Sequence, residues 1–197
     1  MYSWFVTELG LRERSKARRR DAIVRAAFEL FAERGYHATT VADIAEAAEV
    51  APRTVAMYFP AKQDIAMSQF SDGVAALSAA LRDRQPGETL HDVLGRWLLS
   101  RLTGPEDRDM YLLARRMFAA NPDLGALRTA RMATAIRDGA AIIAAETGSL
   151  PGAIGPRIAA AAVGAIAMEV IDTEPGPERE QAVAAAMRFL RAGTAAL

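Results

Sequence analysis

Apolar positions recur at helical spacing along nearly the whole chain. Ala22, Ile23, Ala26, Ala27, Leu30 and Phe31 share one face and Gly35 follows, which predicts a first helix from about Ser15 to Arg34 with Gly35 as its stop. Val41, Ile44, Ala45 and Ala48 form an i, i+3, i+4, i+7 stripe behind Thr39 or Thr40 as a cap, with Asp43 three residues after Thr40 as a shortened capping box. A third helix is brief: Pro52 suits a first turn, where a missing N–H loses nothing, and Pro60 ends the segment. Helices this short are not stable alone in water. Both are therefore expected to pack on the first helix through Val50, Val55 and Phe59, as a three-helix unit.

A longer helix is predicted from Lys62 to about Arg84, and then helices over Thr89–Thr103, Glu106–Ala120, Pro122–Thr147, Ile154–Asp172 and Pro177–Ala195. The breaks between them are "TGPED", "NPD", "TGSLPG" and "TEPGPE". Alternating β-branched runs are nearly absent, so the expected fold is all-α with about nine helices. It divides into a flexible N-terminal arm over 1–14, a helix-turn-helix domain over 15–61 and a C-terminal helical bundle over 62–197.

Composition adds exclusions. There is no Cys, so disulfides, thiolate metal sites and a Cys nucleophile are ruled out, and a reducing compartment, by default the cytoplasm, fits. The longest apolar run, Ile158 to Met168, has 11 residues, against roughly 20 for a bilayer span. It is read as a buried helix, with no membrane partner expected. "MYSWFVTELG" lacks the basic start and cleavage site of a secretory signal.

Net charge is zero, but residues 1–62 hold 10 Lys or Arg against 8 Asp or Glu. Arg12, Arg14, Lys16, Arg18, Arg19 and Arg20 face only Glu13 between positions 12 and 20. Such a run suits a polyanion, and it equally suits a solvated helix start. Two short helices joined by a tight turn behind it describe a helix-turn-helix, whose second helix enters the DNA major groove.

"LFAERGYHATTVADIAEAAEV" followed by "RTVAMYFPAKQDI" resembles the DNA-binding signature of TetR-type (tetracycline-repressor-like) transcriptional regulators, over about residues 14 to 65. The spacing of Gly35, Thr40, Ile44, Ala45, Val50, Thr54, Tyr58, Phe59 and Lys62 matches without a gap. At the matched positions, Thr40 at a helix start offers a hydroxyl beside free N–H groups for a phosphate oxygen. Thr54, Tyr58 and Lys62 are candidates to clamp the same backbone, with Arg12, Arg14 and Arg18 reaching DNA from the arm. Arg53 is the only long donor on the recognition helix and the candidate base reader, while Met57 and Ala56 suit thymine methyls. Three departures stand out: Ala51 replaces the usual Ser, Ala56 replaces a frequent aromatic, and Glu49 stands where the family has Gly in a left-handed conformation, at roughly 1–2 kcal/mol for other residues.

The resemblance implies a sequence-specific regulator, a ligand-responsive repressor or an activator of the same fold, binding a palindromic operator in double-stranded DNA as a homodimer and released by a small-molecule effector. An apolar effector pocket is placed at Trp97, Met110, Ala114, Met117, Phe118, Met132, Ile136 and Met168, side chains that suit plain core equally well. The Ala-rich helix suggests a dimer interface at Ala160, Gly164, Ala167 and Ile171. No cofactor and no metal is expected: Glu88 and His91 form one E-x-x-H, but a di-iron site needs a second copy and two further carboxylates. The remote alternatives are a helical-bundle enzyme and an adaptor that binds no DNA.

Overall fold

A computed structural model describes residues 3–85, 87–103 and 108–194. Within them lie ten helices: α1 Ser3–Arg34, α2 Val41–Ala47, α3 Pro52–Tyr58, α4 Lys62–Ala66, α5 Ser68–Arg82, α6 Leu90–Thr103, α7 Arg108–Ala120, α8 Pro122–Glu146, α9 Ile154–Asp172 and α10 Pro177–Thr194. The all-α expectation holds, with two corrections. Helix α1 begins at Ser3 rather than about Ser15, because Gly10 is the only weak helix former in that stretch and no proline interrupts it. Residues 3–14 therefore continue the helix instead of forming a separate flexible arm. The helix expected over Lys62–Arg84 is broken at Met67, whose N–H turns back to the Gln63 carbonyl. Met67 and Ser68 are both buried at the break, and neither is a residue type that announces one. The expected helix start at Glu106 and end at Ala195 lie outside the described residues.

The chain forms two compact units. The first runs through Gln69 and takes in Leu112–Gly125, the last turns of α7 and the first of α8. Its core is the inward face of α1 (Ile23, Ala27, Phe28, Phe31), met by Ile44 and Ala45 of α2, Val55 of α3, Phe59, Ile65 and Met67. Leu113, Ala114, Met117 and Leu124 belong to the same unit and are buried. Three of the residues placed in an effector pocket, Ala114, Met117 and Phe118, thus lie in this unit, apart from the cavity described below.

The second unit comprises Phe70–Tyr111 and continues from Ala126. Leu94, Trp97 and Leu98 of α6 pack with Ala167 and Val170 of α9 and with Val183, Ala186 and Leu190 of α10. Where α6 meets α10, a Cβ on Gly95 would lie 2.4 Å from the Met187 methyl, so only glycine allows this approach. The C-terminal end of α9 is closed by buried Arg179, which donates to the Thr173 carbonyl at 2.9 and 2.6 Å and to that of Ile171 at 3.3 Å. That is the charge and donor set a helix C-terminus favours.

Helix α9 has 19 residues and mean hydropathy 1.6, and it is long and apolar enough to cross a bilayer by length and composition. Ala160, Gly164, Ala167 and Val170 turn inward, whereas Ile154 and Ile158 are 65% and 61% exposed. The expected buried helix is therefore buried on one face only. The small-residue stripe expected to meet a second copy is instead taken up inside the chain: a Cβ on Gly164 would lie 2.7 Å from Cγ1 of Ile136 on α8. Small residues do mark a close helix approach here, but the approaching helix is α8.

Candidate nucleic-acid interface

Short helices need their ends satisfied and their inner faces held. Of the two threonines ahead of α2, Thr40 is the cap: its hydroxyl accepts from the Asp43 N–H at 3.1 Å, and the Asp43 carboxylate accepts from the Thr40 N–H at 2.7 Å and hydroxyl at 2.8 Å. Those bonds, first the backbone one and then the hydroxyl, hold the Asp43 carboxyl below the usual aspartate range. The Thr40 groups read as phosphate ligands are thus already engaged by a carboxylate. Thr39 is buried and donates to the Gly35 carbonyl at 2.9 Å, closing α1.

The turn from α2 to α3 is a Schellman motif. Val50 N–H bonds the Ala45 carbonyl at 2.9 Å and Glu49 N–H that of Glu46 at 3.1 Å, which puts Glu49 in the position glycine normally fills. Its φ is 53°, the one positive φ outside glycine among the described residues. The strain expected at Glu49 is present.

Helix α3 starts at Ala51, whose carbonyl takes the Thr54 N–H at 2.8 Å and which offers no side-chain cap. Val55 and Phe59 anchor it inward, with the Arg20 guanidinium 5.3 Å from the Phe59 ring centroid. Arg53, Ala56 and Met57 share the opposite face; Met57 is 71% exposed. Thr54 and Tyr58 are half-buried beside them. The face presented outward is therefore one guanidinium, a methyl and a thioether, with two hydroxyls at its edge. Arg12, Arg14 and Arg18 stand exposed on α1 with Lys16 and Arg19.

Lys62 has another occupation than a phosphate clamp. Its ammonium donates to the carbonyls of Tyr36 at 2.6 Å and Thr39 at 2.7 Å and lies 4.3 Å from the Tyr36 ring centroid. Burial lowers its pKa. Lys62 thus holds the loop that delivers Thr40. A second support, unsuspected from sequence, is Asn121, read there only as part of an "NPD" break. Its partners are about ninety positions away along the chain, and no local pattern signals them.

In the second unit, α5, α6, α8 and α9 enclose an apolar cavity of about 70 Å³. Phe70, Val74, Leu77 and Leu81 face it from α5, Leu94 and Trp97 from α6, Met132, Ile136 and Gly139 from α8, and Ala160, Gly164, Ala167 and Ile171 from α9. Of the expected pocket residues it brings together Trp97, Met132 and Ile136; Met110 and Met168 are half-buried and do not line it. No charged side chain lines it, and Ser78 supplies its one hydroxyl. The E-x-x-H is no metal pair in this arrangement: the Glu88 carboxylate is bonded by Arg96 and by the Gln85 N–H, and the His91 side chain lies outside the described residues.

Residues 23–67 match the model of bacterial regulatory proteins of the tetR family. The HTH-type transcriptional regulator TcmR of Streptomyces glaucescens is 47% identical over 79 residues, 40% of this chain and 35% of that protein. The chain thus spans about a third of the length of that curated relative. In fold, the chain is similar to GusR of Salmonella enterica, with 22% identity, TM-score 0.58 and coverage of 89% of this chain and 95% of that one. It is also similar to a transcriptional regulator from Aquifex aeolicus VF5, at 14% identity, TM-score 0.55 and coverage of 88% and 98%.

Proposed function

From a chain whose N-terminal domain belongs to the tetR family of bacterial regulatory proteins, we propose a DNA-binding transcriptional regulator that acts in the cytoplasm, as a ligand-responsive repressor, on a palindromic operator. The observation that carries the reading is the outward face of α3: Val55 and Phe59 lock the helix from beneath, leaving Arg53, Ala56 and Met57 presented where a groove would receive them. Arg53 reads a guanine, since a guanidinium matches guanine O6 and N7 in two parallel bonds. Met57 and Ala56 discriminate by contact with thymine methyls, and Thr54, Tyr58 and the α1 cations take phosphates. Thr40 contributes as a cap that sets the pose of α2, and Lys62 by holding the loop before it.

The effector site is the cavity of the second unit. Its walls carry no charge, so a charged ligand would lose its hydration without a counter-ion, and the effector is a neutral, largely apolar molecule. The protein acts as a homodimer through the outward faces of α9 and α10, where Ile154, Ile158 and Phe189 are exposed, rather than through the inward Ala160–Gly164–Ala167 stripe.

The test is selection of duplexes from a random pool by the full-length protein, followed by titration across salt. Enrichment of a palindrome, with affinity falling steeply as salt rises, is the expected result. Enrichment of nothing above background at low salt would return the chain to the adaptor reading.

A further inference from the structure

We propose that Asn121 is the positioning residue through which occupancy of the second-unit cavity reaches the DNA-reading helices. The inference rests on reading that cavity as the effector site and adds how the site is sensed. Asn121 is 8% exposed, and its side chain makes three directed bonds to backbone. Its Nδ2 donates to the Phe31 and Met117 carbonyls, each at 2.8 Å, and its Oδ1 accepts from the Tyr36 N–H at 2.6 Å. Phe31 lies in the last turn of α1, where carbonyls have no helical donor, and Tyr36 lies in the turn beyond. An apolar side chain here would hold the segments together at many offsets. Three oriented bonds to an amide hold them at one.

Helix α8 begins at the next residue and runs unbroken from Pro122 to Glu146. Its cavity-lining side chains start at Met132, about 15 Å along the helix at 1.5 Å per residue. The cavity, at about 70 Å³, is well below the roughly 300–1,000 Å³ of a small-molecule site, so a ligand must move a wall to enter. Helix α9 already touches α8 at Gly164 and Ile136, which leaves no slack between those two walls. A displaced α8 then pulls on Asn121 at its other end. Tyr36, the partner of Oδ1, is itself held by Lys62, whose ammonium also fixes the Thr39 carbonyl, one residue before the cap of α2. The same junction carries a His37–Asp123 bond of 3.1 Å, but both side chains are largely exposed, and solvent competes for it.

The experiment uses the full-length protein, a duplex it has selected from a random pool, and N-phenyl-1-naphthylamine, a neutral apolar fluorophore, as probe. Ala135→Phe serves as a covalent filler of the cavity. In the wild-type protein, saturating probe is expected to weaken duplex binding by about tenfold or more, and the filler to weaken it without probe. Asn121→Ala should bind the probe with affinity within about threefold of wild type, while its duplex affinity changes by less than about threefold on adding probe. The double variant Ala126→Gly/Ala130→Gly leaves every bond of Asn121 in place and softens α8 ahead of the cavity; it should lose the response too, and it carries the test should Asn121→Ala not fold. A merely structural role would not move a further readout: the Tyr36 amide resonance should shift on probe binding in wild type and stay put in both variants. A full response retained in Asn121→Ala, or in the glycine variant, overturns the proposal while the cavity reading stands. A wild-type protein indifferent to both probe and filler removes the cavity reading, and this proposal falls with it.

Discussion

Glu49 stands at φ 53° with a Cβ that the left-handed region disfavours, and its side chain is exposed, making no listed bond that would repay the strain in the folded protein. Glu49→Gly should therefore raise stability by up to about 1 kcal/mol, part of the gain being offset by glycine's greater freedom in the unfolded chain. Thermal unfolding checks it, and a lower midpoint would mean that the side chain contributes more than its backbone loses. At the neighbouring helix, Arg53→Ala should weaken specific binding by about 1–3 kcal/mol and flatten preference at one base pair per half-site. A base-preference profile left intact by that change would remove Arg53 as reader. The two residues differ in how they were legible. Glu49 was readable because a turn's backbone demand is local, and the family spacing marked the spot. Arg53 was readable as the only long donor on α3, but its outward pose depends on Val55 and Phe59 meeting α1.

Among elements, the starts of α2 and α3 were plain in the sequence, since a threonine cap and a first-turn proline act on the residues beside them. The break between α4 and α5 was not, because Met67 and Ser68 carry no breaker chemistry and the kink follows from where their side chains are buried. Asn121 was hidden for the same reason at longer range. Lys62, read as a phosphate ligand, proves to tie α4 to the loop after α1, which changes what its removal should do. Lys62→Ala should lower stability by about 2 kcal/mol, the scale of hydrogen bonds from a charged donor, and weaken binding to all duplexes alike through a loosened Thr40 loop. Lys62→Arg should not rescue it, because a planar guanidinium cannot point at two carbonyls as the ammonium does. Restored stability in the arginine variant would show that charge alone suffices. The cap of α2 gives a pH signature. Asp43 has a folded pKa below its unfolded one, so its contribution is present above the ordinary aspartate range and is lost as pH falls through the folded value. The gap in thermal midpoint between wild type and Asp43→Ala should accordingly be open at neutral pH and close in acid; a gap that persists there would assign the effect to something other than the carboxylate.

At the scale of the whole molecule the question is what covers α9. A helix of mean hydropathy 1.6 keeps Ile154 and Ile158 mostly exposed, with Leu150 at 80% just before it and Phe189 at 59% on α10. Ala161 and Ala165 continue the same outward face. The stripe chosen from sequence failed here because small residues report that some helix comes close, not which one, and α8 had the prior claim. A contiguous apolar face of this kind marks an association surface, and a twofold axis lets one face serve both partners, so each substitution is presented twice. Ile154→Lys/Ile158→Lys should leave the fold intact, since both side chains are already exposed, and shift the dimer to monomer by placing charges where water is to be excluded. The monomer should then lose far more affinity for a whole palindrome than for a single half-site. Two linked heads bind the palindrome with the second contact made at high local concentration, and a half-site never had that advantage. Sedimentation of the double variant beside titration of both duplexes decides the matter. A variant that stays dimeric and keeps its preference for the palindrome would place the interface away from this face.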